Sequence, residues 1–230
     1  MVPKHIGIIL DGNRRFAKRL MLKPWKGHEF GAKKVEKLFD WCKELGLKEL
    51  TLYSFSLENF NRPKKEFDYL MNLFRQEFRK LLDDKRIDKD KIKIRFIGRL
   101  NLLPSDLQKL MKEIMEKTKK YNNYAINFAL AYSGRAEIID AVKRIVEKIE
   151  KKDLSEKDIN EKNFLSELYI KDEPDLIIRT GGERRISGFL LYQGSYAELS
   201  FCDKMWPEFE KKDLITAIED FKMRDRRFGK

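Results

Sequence analysis

Short aliphatic runs alternate with helix-length amphipathic segments along the whole chain, and few folds accept that order. Residues 4–10 (KHIGIIL), 49–55 (ELTLYSF), 92–97 (IKIRFI) and 124–131 are predicted strands, each short and rich in Ile, Leu or aromatic residues. Asp175 to Ile178 gives a fifth strand and Glu198 to Phe201 a last one. The intervening segments repeat at three and four. Val35, Leu38, Cys42 and Leu45 mark a helix over 28–45, which Gly46 stops. The clearest period lies in 64–83, where Phe67, Leu70, Met71, Phe74, Phe78, Leu81 and Leu82 share one face. Further helices are predicted from Arg14 to Leu20, from Pro104 to Tyr121, around Ile138, Val142, Ile145 and Ile149, and from Glu210 to Met223. Asp83 to Lys91 reads as a charged connection. Glu150 to Asn163 reads as a polar loop with a short helical turn.

Strand, helix and strand in turn make a parallel sheet with helices on its faces the economical solution. The expected fold class is therefore α/β: one domain over residues 1–230, with a central, mostly parallel β-sheet surrounded by helices. No internal repeat and no Pro/Gly/Ser-rich linker divides the chain, and a 42% hydrophobic content over 230 residues supplies a sizeable core. Ligands of such sheets bind beyond the carboxyl ends of the strands. Function is to be sought in the polar residues that follow each strand.

Several function classes drop out. Two histidines, His5 and His28, exclude His-rich metal sites. GxxxxGK[ST], a GxGxxG after the first strand, and GxSxG are all missing, which removes the common nucleotide loops and the nucleophile elbow. Cys42 and Cys202 form no framework and read as reduced residues of a cytoplasmic protein. No apolar run is long enough to span a membrane, and the run Ile6 to Leu10, broken at Asp11, is not a signal peptide. The chain carries 50 Lys and Arg against 38 Asp and Glu, a net charge of +12. Interleaved signs suit a solvated surface of the kind hyperthermophiles favour, whereas the excess suits an anionic partner. A nucleic-acid binder would show a basic stripe interleaved with exposed aromatics. Here the arginines gather at strand ends and the aromatics follow helix and strand patterns, so no nucleic acid is expected. Asp83-Asp84-Lys85-Arg86-Ile87-Asp88 has some likeness to the aspartate-rich metal motif of trans-prenyl synthases, but reads as a solvated charge run.

Four strand-end clusters carry candidate chemistry. In Asp11-Gly12-Asn13-Arg14-Arg15, Gly12 permits a tight turn, the next helix aims N–H groups at an anion, and Arg15 adds a charged donor. Asp11 either holds a Mg²⁺ that phosphate also binds or caps the helix. His28, after Gly27, is a phosphate donor, a proton shuttle or a structural residue. Ser56, Glu58, Asn59 and Arg62 form a polar loop after the second strand. The densest cluster is Arg179-Thr180-Gly181-Gly182-Glu183-Arg184-Arg185-Ile186-Ser187. Its three arginines around a Gly-Gly turn fit bidentate binding of an oxyanion. Glu198 follows as a second possible metal-side carboxylate.

These clusters, taken in order, resemble the cis-prenyltransferases, the undecaprenyl and dehydrodolichyl diphosphate synthase family. The resemblance runs through HIGIILDGNRRFAKR, KGHEFGAKKV, LTLYSFSLENFNRP, INFALAYSGRAEI, DLIIRTGGERRISGFLLYQGSYAELSF and the final RDRRFG, and covers nearly all of the chain. It implies a homodimer that adds isopentenyl diphosphate repeatedly to an allylic prenyl diphosphate, each new double bond being cis. It further implies Mg²⁺ as cofactor and a long-chain polyprenyl diphosphate, a glycosyl carrier lipid precursor, as product. Asp11 is then the Mg²⁺ and diphosphate residue, with Gly12, Asn13 and Arg15 in the same cradle. His28 and Arg62 lie by the allylic diphosphate, and Ser56 and Asn59 fall where proton removal or carbon placement is managed. Arg179, Arg185 and Ser187 match the isopentenyl diphosphate positions, and Glu198 the second metal-side carboxylate. Arg227 and Gly229 resemble a C-terminal RxG that reaches the partner's site. Pro24 stands where bacterial members often carry Arg, a contact left to Lys23 or Lys26. The apolar face from Phe67 to Leu82 is a candidate channel wall. A cytoplasmic enzyme peripheral to the membrane is expected, its lysines facing anionic lipid.

Overall fold

The computed structural model describes residues 2–224. Six strands form one sheet among these residues: β1 (His5–Ile9), β2 (Glu49–Ser56), β3 (Ile92–Ile97), β4 (Tyr124–Tyr132), β5 (Leu176–Arg179) and β6 (Glu198–Phe201). Their order is β3-β4-β2-β1-β5-β6, and every neighbouring pair is parallel. The sheet is thus wholly rather than mostly parallel. The helices are α1 (Asn13–Arg19), α2 (Gly27–Glu44), α3 (Lys64–Asp83), α4 (Lys85–Lys89), α5 (Ser105–Thr118), α6 (Gly134–Glu150), α7 (Glu161–Ser166) and α8 (Lys211–Met223). None is long and apolar enough to cross a membrane.

Successive residues of a strand face opposite sides, and the core divides accordingly. Ile6 and Ile8 of β1, Leu50 and Leu52 of β2 and Leu176 and Ile178 of β5 meet Leu38, Leu70, Phe78, Met111 and Leu214, from α2, α3, α5 and α8. Ile9, Tyr53 and Ile177 turn the other way, onto Tyr132, Ile170, Phe189 and Leu190. Both faces are therefore covered, as a parallel sheet requires. Gly7 is a close approach: a Cβ there would lie 2.8 Å from the Phe189 ring.

Two short helices lie where the sequence predicts connections. Asp84 caps α4 by accepting from the Arg86 amide at 2.9 Å. Asn160 caps α7 by accepting from the Asn163 amide at 3.0 Å. Each is about one turn or little more, too short for its apolar positions to show a period.

Candidate active site

The order of strands reverses around β1, and the loops beyond the carboxyl ends of β1, β2 and β5 converge there. Asp11 follows β1. Its Oδ1 accepts from the Gly12 amide at 2.6 Å, and Oδ2 accepts from Arg179 Nη2 at 2.9 Å. Its backbone carbonyl accepts from Thr180 Oγ1 and from the Trp206 amide, both at 2.8 Å. Gly12 has φ 103°, a left-handed value suited to glycine, and makes the turn into α1. A Cβ there would stand 2.8 Å from Met205. Of the two sequence readings of Asp11, a ligand residue or a mere helix cap, the cap fails: no side chain caps α1, whose N-cap is Gly12.

Arg179 is the hub. It ends β5 almost wholly buried, at 5% exposure. Its Nη1 donates to Ser187 Oγ at 2.7 Å and to the Arg185 carbonyl at 2.5 Å, which orders the following loop. Ser187 sits at φ 48°, uncommon for a residue with a Cβ. Arg15 lies 3.4 Å from Asp11 and 3.8 Å from Glu183. Arg185 points outward and pairs with Glu183 at 2.5 Å. The first and fourth clusters therefore form one cationic rim, with Glu183 standing between the exposed Arg15 and Arg185.

The second and third clusters close the other side. Arg62 Nη1 donates to His28 Nε2 at 3.3 Å and to the buried Glu66 at 3.1 Å, and Arg14 lies 3.4 Å from Glu66. Burial, then the charges of Arg62 and Arg14, pushes the His28 imidazole down to about 3. It is neutral at ordinary pH, and its Nε2 is the acceptor for Arg62. Burial and the two neighbouring arginines thus disfavour a cationic phosphate donor at His28 in the free protein. Ser56 and Asn59 engage each other. The Ser56 amide donates to Asn59 Oδ1 at 3.2 Å, and the Asn59 amide donates to the Ser56 side chain, the reciprocal cap of a short 3₁₀ turn.

The four clusters meet at one cavity of about 730 Å³, although Gly12, Arg15 and Arg185 are not among the residues that line it. Asp11, Asn13, His28, Ser56, Asn59, Arg62, Arg179 and Ser187 stand around its polar end. From there it runs between α2 and α3, where Val35, Phe39, Leu70, Leu73, Phe74, Phe78 and Leu81 make an apolar wall with Phe55 and Phe128. The predicted wall is therefore real but narrower. Met71 is fully buried in the core, and Phe67 and Leu82 pack against that core. The Asn13 side-chain oxygen is buried and lacks a hydrogen-bond partner.

Some expectations separate from this site. Glu198 opens β6 beside Leu176, at the amino end of the sheet, and pairs with Arg224 at 2.7 Å. Within one chain it does not join Asp11. Lys23 and Lys26 supply no cavity contact in place of the missing arginine. Lys23 lies over Trp25, and Lys26 pairs with Glu29 at 2.9 Å. Arg227 and Gly229 fall outside the described residues. In turn, Thr180, Glu66 and Trp206 emerge as supports of the site. Thr180 lies inside a cluster the sequence marks. Glu66 has a local partner in Arg62, four residues before it, but only tertiary packing brings Arg14 to Glu66 and Trp206 to Asp11.

The family model for undecaprenyl diphosphate synthase matches residues 9–229. The chain is 49% identical to the tritrans,polycis-undecaprenyl-diphosphate synthase (geranylgeranyl-diphosphate specific) of Pyrococcus furiosus, covering 100% of this chain and 88% of that one. A protein of the same description from Methanocaldococcus jannaschii is 47% identical, with 100% and 83% covered. Among solved structures, lavandulyl diphosphate synthase from Lavandula x intermedia, in complex with dimethylallyl diphosphate, superposes with a TM-score of 0.92 at 32% identity, covering 100% and 99% of the two chains. With an acidic turn and a cationic rim at the head of an apolar channel, and with these relatives along its whole length, the chain belongs to the undecaprenyl diphosphate synthase family and is a cis-prenyltransferase.

Proposed function

We propose that this enzyme is a Mg²⁺-dependent synthase that condenses isopentenyl diphosphate onto an allylic prenyl diphosphate, repeatedly and with cis geometry. The relatives' description points to geranylgeranyl diphosphate as primer and an undecaprenyl diphosphate as product; a long polyprenyl diphosphate of this kind suits a glycosyl carrier lipid precursor. One observation carries this: a single cavity joins a cationic, hydrogen-bonding head to a long apolar barrel. A prenyl diphosphate has that division of chemistry.

In each round the allylic C–O bond breaks and diphosphate leaves. The isopentenyl double bond supplies the electrons of the new C–C bond, and a proton is lost from the adjacent carbon. Charge develops on the leaving oxygens, so fixed donors stabilise the transition state more than the ground state. Arg15 and Arg62 are those donors, with the neutral His28 as a hydrogen-bonding partner, while Arg179, Arg185 and Ser187 hold the isopentenyl diphosphate, which keeps its own C–O bond. Ser56 and Asn59 hold the condensing carbons beside the head.

Mg²⁺ binds through one or two carboxylates plus substrate phosphates rather than in an all-protein cage. The Asp11 carboxylate, 31% exposed and lining the cavity, fits such a partial site, and among the described residues no cluster of three ligand-type side chains competes with it. Asp11 would hold the ion, which neutralises phosphate charge when bound. The protein works as a homodimer, in which the RxG motif of Arg227 and Gly229 serves the partner's site, and sits in the cytoplasm against the membrane. Support for the membrane contact comes from the loop after α1, where Leu20, Met21 and Leu22 are exposed beside Lys18, Arg19 and Lys23.

The test is incubation of the purified protein with labelled isopentenyl diphosphate, allylic primers of several lengths and Mg²⁺, followed by product sizing and determination of double-bond geometry. Cis-extended products that require Mg²⁺ are expected. No product with any primer, or all-trans extension, overturns the proposal.

A further inference from the structure

Toward the carboxyl end of α3 the channel is bordered by charge, with Glu36, Glu77, Lys80, Asp84 and Arg86 beside Phe39 and Leu81. At the carboxyl end of α3 the chain turns into α4, and Arg86 reaches back across the gap to α2. Its Nε lies 3.1 Å from Asp84 Oδ1 and 3.0 Å from Oδ2, and its Nη2 donates to Oδ2 at 2.7 Å. Its Nη1 meets both oxygens of Asp40, at 3.0 and 3.2 Å. The guanidinium thus ties α2 to α4 through two carboxylates. Asp84 and Arg86 border the 730 Å³ channel, and with Phe39 they also border a second cavity of about 110 Å³. The ion cluster is the partition between the two spaces.

This inference rests on the function proposed above. We propose that Arg86, held by Asp40 and Asp84, is the terminal wall of the product channel and determines how long the prenyl chain grows. An apolar tail that reaches the cluster would have to strip solvated charges or break two ion pairs, and either is unfavourable. Growth stops where the next unit can enter only at that cost. Neutralising the wall joins the second cavity to the first and lets the tail advance. The two paired carboxylates keep Arg86 in place. The cluster is also solvent-accessible, with side-chain exposures of 46% for Arg86 and 53% for Asp40, so its loss removes little folding stability.

The experiment is product sizing with wild type, Arg86→Ala, Arg86→Lys and Asp40→Asn, on one primer under identical conditions. Arg86→Ala should shift the dominant product upward by one or more isoprene units. Asp40→Asn should shift it in the same direction by less, and Arg86→Lys should restore a length close to wild type. Asp40→Asn leaves the α4 cap intact and keeps the test open if Arg86→Ala does not fold. Unchanged product length in both Arg86→Ala and Asp40→Asn overturns the inference. Absence of product from wild type instead overturns the function on which it rests, so the two failures are distinguishable.

Discussion

Arg179 Nη2 donates to Asp11 Oδ2 at 2.9 Å across 168 residues of sequence. The end of β5 thereby fixes the carboxylate that follows β1. Arg179 is nearly buried, whereas the Asp11 side chain is 31% exposed, so the pair faces the cavity through its acid. Orientation set before ligand arrives costs nothing at the moment of reaction. Asp11→Asn keeps the volume and loses the charge. Its turnover should fall by on the order of 10²–10³-fold, the usual consequence of removing one preorganised electrostatic group, while its circular dichroism stays native. Near-wild-type turnover would remove Asp11 from the proposed role.

The head of α2 is set by contact. A Cβ on Gly27 would lie 1.8 Å from the Asn13 carbonyl oxygen, a backbone atom at the start of α1 that no side-chain rotation can move. Gly27→Ala should therefore cost about 1–3 kcal/mol by overpacking, seen as a lower urea midpoint at unchanged slope. It should also raise KM, because His28 is the next residue of the same helix. A midpoint equal to wild type would mean that α1 and α2 separate more easily than their packing indicates.

How much of this was legible depends on the range of the signal. Strand and helix periods are local, so the sheet and the long helices could be read from Ile6, Ile8, Leu38 and Leu70 alone. The site clusters could be read because a parallel sheet puts its ligand residues directly after strands. Distant partnerships were not legible: Arg62 stands four residues before Glu66, but nothing near Glu66 announces Arg14, and nothing near Arg86 announces Asp40. The segment Asp83 to Asp88 was read as solvated charge. That is true of its exposure but misses its place at the end of the channel. Glu198 is a different case: its motif marks it for the site, while the register of β6 on β5 sets it beside Leu176, at the amino end of the sheet within one chain.

His28 offers a spectroscopic check. Its depression to about 3 comes from burial first and then from Arg62 and Arg14. In the free protein its ring signals should not titrate between pH 5 and 8. Inorganic pyrophosphate at the head of the channel supplies the opposite charge and should raise the value. Arg62→Ala removes one cation and should raise it part of the way toward 6.5. A ring that titrates normally in the free enzyme would contradict the crowded, cationic environment.

His5 predicts the acid limb of stability. It is buried at the start of β1, with Nε2 2.7 Å from Thr51 Oγ1, and burial pushes it down to about 4. Unfolded, it titrates near 6.5. Between those values the unfolded chain holds the extra proton, so stability is full above about pH 6.5 and falls as the pH drops toward 4. The shift corresponds to about 3 kcal/mol at most. Denaturation midpoints measured from pH 7 to 4 should decline, and His5→Gln should flatten part of that decline. An unchanged slope in the variant would assign the acid sensitivity elsewhere.

The membrane contact can be tested apart from catalysis. Met21 is 95% exposed, Leu20 45% and Leu22 42%, and these three residues are consecutive in a loop that borders no part of the channel. Exposed apolar side chains beside cations enter an interface when anionic headgroups attract the cations and the acyl boundary buries the apolar tips. The protein should therefore co-sediment with phosphatidylglycerol vesicles at low salt and much less with phosphatidylcholine vesicles. Replacing Leu20, Met21 and Leu22 together by Ser should weaken binding at least about tenfold, a modest share of the roughly 1.5–3 kcal/mol that full burial of each apolar side chain can contribute. Turnover on short, soluble primers should not change. If the triple variant bound anionic vesicles as wild type does, lysines elsewhere on the +12 surface would account for the attraction. If instead it changed the sedimentation coefficient without vesicles, the loop would be a contact between copies of the chain.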